Sequence, residues 1–239
     1  MTNTEITRRL DAAVRLAHGA GAGIMRHFAS WSDHRAIGLE IKHDGSPVTL
    51  ADREAERCIR DALAKEFPRD AVLGEEYGET GGDSGYRWVV DPIDGTASFV
   101  CGVPLFGTLI GIEQAGVPVA GVIHMPALAE CAFGGPGLGA THRAHGREDR
   151  PARVSATSEL KDAVFVTTSV DYYIKAGRED LYSAITHAVR LNRGWSDAYA
   201  FLLVATGRAD LCVEPGVKPW DIAAVAPVVA GAGGEWCDL

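Results

Sequence analysis

Asp91-Pro92-Ile93-Asp94-Gly95-Thr96 decides how this chain is read. Two carboxylates stand three residues apart, in a turn directly after the apolar strand Trp88-Val89-Val90, and a Gly-Thr pair follows that can expose backbone N–H groups. Hard divalent cations take oxygen ligands and often share them with substrate phosphates, so the pattern suits a cation held beside a phosphate. Asp-Pro and Asp-Gly are also ordinary turn signals, and the rest of the chain has to choose between the two readings.

Outward from that stretch, periodicity sets the frame. Ile6, Leu10, Ala13, Val14, Ala17, Ile24, Met25 and Phe28 recur at helical spacing, so residues 4–30 read as an amphipathic helix with Thr4 as its N-cap. Ala51, Ala55, Ile59, Ala62, Leu63 and Phe67 give a second helix that ends before Pro68. Val72-Leu73, Trp88-Val89-Val90, residues 108–112 and residues 117–123 then read as strands, the last two joined by a hairpin turn at Gly116-Val117-Pro118. Residues 134–150 are rich in glycine and charge and read as a loop and a domain boundary, with His142 and His145 solvated in it. Beyond it come a strand at Val164-Phe165-Val166, helices over 178–190 and 198–206, a short strand over 210–213 and a helix over 222–230. The expected division is a metal-binding α+β half over 1–150 and a smaller α/β half over 151–239.

Composition excludes several classes. The 239 residues are 46% hydrophobic and 23% charged, ordinary values for a globular chain with a real core. A formal net charge of -9 is a poor footprint for binding nucleic acid. The five cysteines, Cys58, Cys101, Cys131, Cys212 and Cys237, are dispersed and form no CxxC, which argues against a disulfide framework or structural zinc and fits a reducing, cytoplasmic setting. Neither a signal peptide nor an apolar run of membrane-spanning length is present, so no membrane partner is expected.

Acidic residues recur at the edges of these elements. Asp52 opens the second helix, Glu75-Glu76 follows the strand ending in Gly74, Asp91 and Asp94 hold the quoted stretch, and Asp221 opens the helix from 222. Singly, each is as readily an N-cap or a solvated loop charge. Jointly, carboxylates at loop ends from both halves suit one cleft.

Gly74-Glu75-Glu76, Asp91 to Thr96 with Ser98-Phe99-Val100, and Trp220-Asp221 followed by Ala232-Gly233-Gly234 occur in the order and rough spacing of one family. Over nearly its whole length the chain resembles the inositol monophosphatase family of Mg²⁺-dependent, often Li⁺-sensitive phosphatases. The resemblance implies a layered αβαβα sandwich, a small-molecule phosphate monoester as substrate, two to three Mg²⁺ ions and a homodimer. It further implies that Glu75, Asp91 and the Ile93 carbonyl hold one Mg²⁺, that Asp91, Asp94 and Asp221 hold a second, and that a weaker third sits near Glu75. Asp52 and Thr96, with Glu75, would serve the attacking water, and the Gly95 and Thr96 backbone N–H groups would receive phosphate oxygens. Glu76 reads as a supporting residue; Lys42 reads equally as a neighbour of the metals or as a solvated lysine.

Two stretches narrow the substrate. Residues 98–110, and Trp195-Ser196-Asp197-Ala198-Tyr199 with Glu214 and Lys218-Pro219-Trp220-Asp221, are similar to the histidinol-phosphate phosphatase branch of that family. Histidinol phosphate carries an ammonium and an imidazole, and the resemblance implies that Asp197 and Glu214 would pair with them through charge-assisted hydrogen bonds. The alternatives are an N-cap role for Asp197, an inositol-1-phosphate or other sugar-phosphate substrate, and an inactive relative that only binds metal. Family members usually continue past the Ala-Gly-Gly for another strand or two, which here predicts a second sheet short of a strand.

Overall fold

The computed structural model describes residues 3–43, 45–195 and 197–237; Ser196 of the quoted 195–199 stretch and the terminal Asp238-Leu239 lie outside them. The chain opens with helix α1 (Asn3–Phe28), a small hairpin of β1 (Glu40–Ile41) and β2 (Pro47–Val48), and helix α2 (Leu50–Glu66). Strands β3 (Ala71–Gly74), β4 (Gly78–Thr80) and β5 (Tyr86–Asp94) follow, then the short helix α3 (Thr96–Val100). A meander of β6 (Gly107–Gln114), β7 (Val117–Met125), β8 (Glu130–Gly135), β9 (Gly139–Ala144) and β10 (Arg150–Pro151) completes the main sheet. The remainder alternates: β11 (Val164–Thr167), α4 (Val170–Lys175), α5 (Glu179–Ala188), β12 (Leu191–Gly194), α6 (Asp197–Ala205), β13 (Leu211–Cys212), α7 (Pro219–Ile222) and α8 (Val225–Gly231).

The main sheet has eight strands in the order β10-β9-β8-β7-β6-β5-β3-β4, antiparallel except where β3 runs parallel to β5. Side chains alternate between its faces. Trp88, Val90, Ile110, Ile112 and Val122 pack against α1 and α2, while Leu109, Ile123, Met125 and Ala132 pack against α6 and α8. The three-stranded sheet β12-β11-β13 is parallel and lies on the other side of α6, through Val164, Val166, Ala200 and Leu203. Beyond it, Phe165 meets Tyr182 of α5 and Tyr173 of α4 packs on the same ring. The layers therefore run α1–α2, large sheet, α6–α8, small sheet, α4–α5, the expected αβαβα sandwich.

Glycine sets the height at which the third layer sits. Gly111 of β6 and Gly121 of β7 are direct cross-strand partners. A Cβ at Gly111 would lie 2.5 Å from the Ala223 carbonyl carbon, and one at Gly121 would lie 2.1 Å from the Ala224 carbonyl oxygen. The α7–α8 link thus rests backbone on backbone against the sheet, which brings Asp221, two residues earlier, down to β5.

Several expectations change. Thr4 lies inside α1, which starts at Asn3 and ends at Phe28. Residues 134–150 are not a loop but the end of β8, the hairpin to β9, and β10. Their glycines serve close approach: a Cβ at Gly135 would lie 2.2 Å from the Val119 carbonyl oxygen, and Gly231 packs on Gly135. His142 is accordingly buried in β9, with Nε2 2.6 Å from Glu130 Oε1 and Nδ1 accepting from Arg150 Nε at 3.0 Å; His145 is exposed, as expected. The helix read over 222–230 is two helices, and Asp221 belongs to the first. All five cysteines are free thiols, and among the described residues no helix is long and apolar enough to cross a membrane.

Candidate active site

The motif is not a turn after a strand. Strand β5 runs through it to Asp94, and the ladder with β6 pairs Asp91 with Leu109 and Asp94 with Gly107, which sets Pro92 and Ile93 against the single residue Thr108. This is a β-bulge, a device that re-aims side chains. Proline drives it, since Pro92 has no N–H to give the ladder, and its carbonyl accepts instead from Thr108 Oγ1 at 2.9 Å. The bulge turns Asp91 and Asp94 toward the same side as Asp221, and the three carboxylates offer oxygens that all lie within 4.8 Å of one another.

Two buried acids and a half-buried third so close repel unless something positive joins them. Burial, then the charges of Glu75, Asp94 and Asp221, push Asp91 well above the usual carboxylate range; burial, then Asp197, Asp221, Glu75 and Glu214, do the same to Asp94. Burial also raises Asp221 to about 6, against the Lys218 backbone N–H that donates to its Oδ2 at 2.7 Å. Among the described residues, Asp91 Oδ1 and Asp94 Oδ2 are buried without a hydrogen-bond partner. Orphaned buried acceptors, an all-oxygen donor set and mutual repulsion together fit a hard divalent cation such as Mg²⁺.

The flanking residues assemble around this cluster. Glu75 N–H donates to the Val90 carbonyl at 3.1 Å, which hangs the Glu75-Glu76 turn beside β5. Lys42 is a partner of that turn rather than a solvated lysine, its Nζ 2.7 Å from Glu75 Oε1 and 2.6 Å from Glu76 Oε1. Asp52 is buried at the first turn of α2, its Oδ2 accepting from Thr49 N (2.8 Å) and Thr49 Oγ1 (2.6 Å). Its Oδ1 faces Thr96 Oγ1 at 3.2 Å, and that hydroxyl also lies 3.0 Å from the Ile93 carbonyl. Burial raises Asp52 to about 7, opposed by the Thr49 hydrogen bonds and helped by Glu76 and Glu75. Gly95 takes a left-handed φ of 88°, which a Cβ would strain, and so lets α3 begin at Thr96 directly after the bulge.

The second half closes the site. A Cβ at Gly95 would lie 3.0 Å from Asp197 Oδ2, so the Asp197 carboxylate stands over the bulge while its backbone opens α6. Glu214, two residues past β13, is raised to about 7, first by burial and against hydrogen bonds from Thr168 and Thr167. Glu214 Oε1 accepts from Thr168 N at 2.6 Å, and Thr168 Oγ1 accepts from Asp197 N at 3.1 Å. All the residues read from the sequence thus gather at one place.

Two more were not read. Thr168 belongs to no motif and is found only through its contacts. Glu56 is fully buried on α2; its carboxylate accepts from Glu76 N (2.7 Å), Tyr77 N (3.2 Å) and Arg60 Nε (2.7 Å). A Cβ at Gly74 would collide with it at 2.0 Å, so Gly74 is what lets the turn close over Glu56. The signal available in the sequence was a glutamate on the apolar face of α2, between Ala55 and Ile59.

Known proteins share this sequence pattern and fold. The profile of the inositol monophosphatase family matches residues 5–239. Histidinol-phosphatases of Chlorobaculum parvum and Streptomyces coelicolor are 39% and 38% identical, over 96% and 95% of this chain and 85% and 86% of theirs. An inositol-1-monophosphatase of Mesorhizobium japonicum is 34% identical over 96% of this chain and 85% of its own. The crystal structure of extragenic suppressor protein suhB from Bartonella henselae superposes with a TM-score of 0.83 at 32% identity, covering 95% of this chain and 86% of that one. With the family profile spanning nearly the whole chain and the acidic bulge at its centre, the chain belongs to the inositol monophosphatase family and is a phosphoric monoester hydrolase.

Proposed function

We propose that this hydrolase is Mg²⁺-dependent and converts L-histidinol phosphate to L-histidinol and phosphate, as a cytoplasmic homodimer serving histidine biosynthesis. The observation that carries the substrate is the Asp197 carboxylate set over the acidic bulge, with Glu214 tied to the same end of the small sheet through Thr168, since an inositol ring offers no cation to an acid at the Asp197 position. The histidinol-phosphatase relatives support the same choice.

Asp91, Asp94 and Asp221, with Glu75 and the Ile93 carbonyl, are the residues that would hold two Mg²⁺ ions, and Glu75 would hold a weaker third. Bound Mg²⁺ supplies Lewis acidity and lowers the pKa of water. The chain supplies the positioning. The single Thr96 hydroxyl proton is shared between the Ile93 carbonyl and Asp52 Oδ1, which leaves the hydroxyl's lone pairs to orient water, and Asp52, raised to about 7 chiefly by burial, is a base able to take a proton near neutral pH. The Gly95 and Thr96 backbone N–H groups, at the left-handed start of α3, would receive the phosphate oxygens. The leaving alcohol's ammonium lies between Asp197 and Glu214. We read residues 1–150 as the half that carries most of the metal ligands and 151–239 as the smaller half that adds Asp221 and selects the alcohol.

The test is phosphate release from L-histidinol phosphate and inositol 1-phosphate side by side, with and without Mg²⁺. A Mg²⁺-dependent preference for histidinol phosphate supports the proposal. A preference for inositol 1-phosphate keeps the mechanism and overturns the substrate, the second reading that the Mesorhizobium relative favours. Metal binding without turnover of any phosphomonoester would overturn the catalytic reading altogether.

A further inference from the structure

The three parallel strands of the small sheet end on one side, and each end delivers one residue to the site. Thr168 is the first residue past β11, Asp197 lies three past β12 and Glu214 two past β13. The chain leaves central β11 for β12 on one flank and reaches β13 on the other. Open parallel sheets bind ligands at such a switch point, outside the carboxyl ends of the strands.

Thr168 occupies that crevice and touches both acids. Its backbone N–H donates to Glu214 Oε1 at 2.6 Å. Its Oγ1 accepts the Asp197 N–H at 3.1 Å and stands 3.4 Å from Asp197 Oδ1. The end of β13 is held from behind as well, since the Val213 carbonyl accepts from Tyr173 Oη at 2.6 Å and Thr167 Oγ1 at 3.2 Å. Two carboxylates near each other drift apart unless a shared neighbour fixes them, and charge-assisted hydrogen bonds are the strong means of doing so.

We infer that Thr168 is a positioning residue that holds Asp197 and Glu214 as one jaw, and thereby sets the preference for phosphate esters whose alcohol carries an ammonium group. This rests on the reading of that acid pair as the cation-binding group. Thr168 need not touch the substrate: it orders the pair before binding, so that less of the binding free energy goes into fixing side chains.

The experiment compares Thr168→Val, Thr168→Ala and Thr168→Ser with the native chain on L-histidinol phosphate and on p-nitrophenyl phosphate, which has no cation. Native-like melting selects the variants to compare. Losing Oγ1 should lower the ratio of kcat/KM for histidinol phosphate over p-nitrophenyl phosphate about tenfold, mainly through KM, the scale of one hydrogen bond to a charged group. Serine should restore the ratio. An equal fall on both substrates, or no recovery with serine, would make Thr168 a plain brace for α6 and overturn the inference. Asp197→Ala and Glu214→Gln are run in parallel. If they lower the ratio and Thr168→Ala does not, the cation reading stands and the role of Thr168 falls. If neither acid moves the ratio, both fall together.

Discussion

At the scale of single residues, function depends on groups that no motif announces. Glu56 is the plainest case. It is a buried carboxylate with three donors, two of them backbone N–H groups of the Glu75-Glu76-Tyr77 turn. Glu56→Ala leaves those two donors and Arg60 without their acceptor. Breaking one side of a buried charged pair costs about 3–5 kcal/mol, and Arg60 is 15% exposed here, so the lower end applies. Thermal melting should therefore fall by several degrees, and Mg²⁺ titration should show weaker binding because Glu75 is no longer held. Glu56→Gln keeps an acceptor and should lose less of both; equal losses for Ala and Gln would mean that charge, not the turn contact, is what matters. The contrast with Asp91, Asp94 and Asp221 explains what was legible. Those acids sit in short local patterns whose chemistry is visible in sequence. Glu56 and Thr168 act through partners 20 and 46 positions away, and only folding brings them into contact.

At the scale of elements, period-two and helical patterns gave the strands and helices correctly wherever each face met one kind of neighbour, while the order of the layers came from the family resemblance. They failed at β8–β10, where glycines mark backbone contact with β7 and α8 rather than a loop, and at Pro92, whose missing N–H makes a bulge inside β5 rather than a turn after it. The same use of glycine can be tested at Gly121. Alanine there puts a Cβ 2.1 Å from the Ala224 carbonyl oxygen, so the α7–α8 link must lift. Overpacking of this kind costs about 1–3 kcal/mol, and Asp221 would move with the link. Gly121→Ala should lower both melting temperature and Mg²⁺ affinity, whereas alanine at Gly116, where a Cβ meets nothing but φ is 80°, should affect melting alone. Unchanged metal affinity in Gly121→Ala would show that Asp221 is placed by its own helix. A second element-level joint ties α1 to the sheet: Arg9 donates to Asp70 at 2.8 and 3.0 Å, and Trp88 Nε1 and Ser84 Oγ donate to the same carboxylate. Burial alone would raise Asp70, but these donors outweigh it and its pKa falls below 3.8. A depressed folded pKa means stability that is present above the unfolded value and lost as pH falls through the folded one. Native chain and Asp70→Asn should differ most in stability near neutral pH, begin to approach one another near the unfolded aspartate value of about 4, and converge only as pH falls through the lower folded value. A difference that stays constant on acidification would assign the joint to packing of the Arg9 guanidinium on Tyr86 and Phe67 instead.

At the scale of the whole molecule, the acidic cluster is also a seam. Asp91 and Asp94 come from the large sheet, Asp221 from the helix that leads back from the small sheet, and Asp197 and Glu214 from the small sheet's strand ends. Without a cation, burial and mutual repulsion raise the pKa values of Asp91, Asp94, Asp221 and Glu214, so the seam is a place where folding holds unfavourable charge. Anything that binds there only in the folded state stabilises the chain by mass action, about 2.7 kcal/mol at a ligand concentration a hundred times Kd. Chelation should accordingly lower the melting temperature, and Mg²⁺ should restore it in a concentration-dependent way. The decisive comparison is Asp221→Asn, which removes one charge of the cluster while keeping its shape. That variant should melt at or above the native chain in chelator, because repulsion is relieved, and should gain much less from added Mg²⁺. Crossing of the two melting curves as Mg²⁺ rises is therefore the expected signature. If Asp221→Asn instead melts lower at every Mg²⁺ concentration by the same amount, the Asp221 carboxylate contributes chiefly through its hydrogen bond to Lys218 N–H, and the cation would be held by the first half alone.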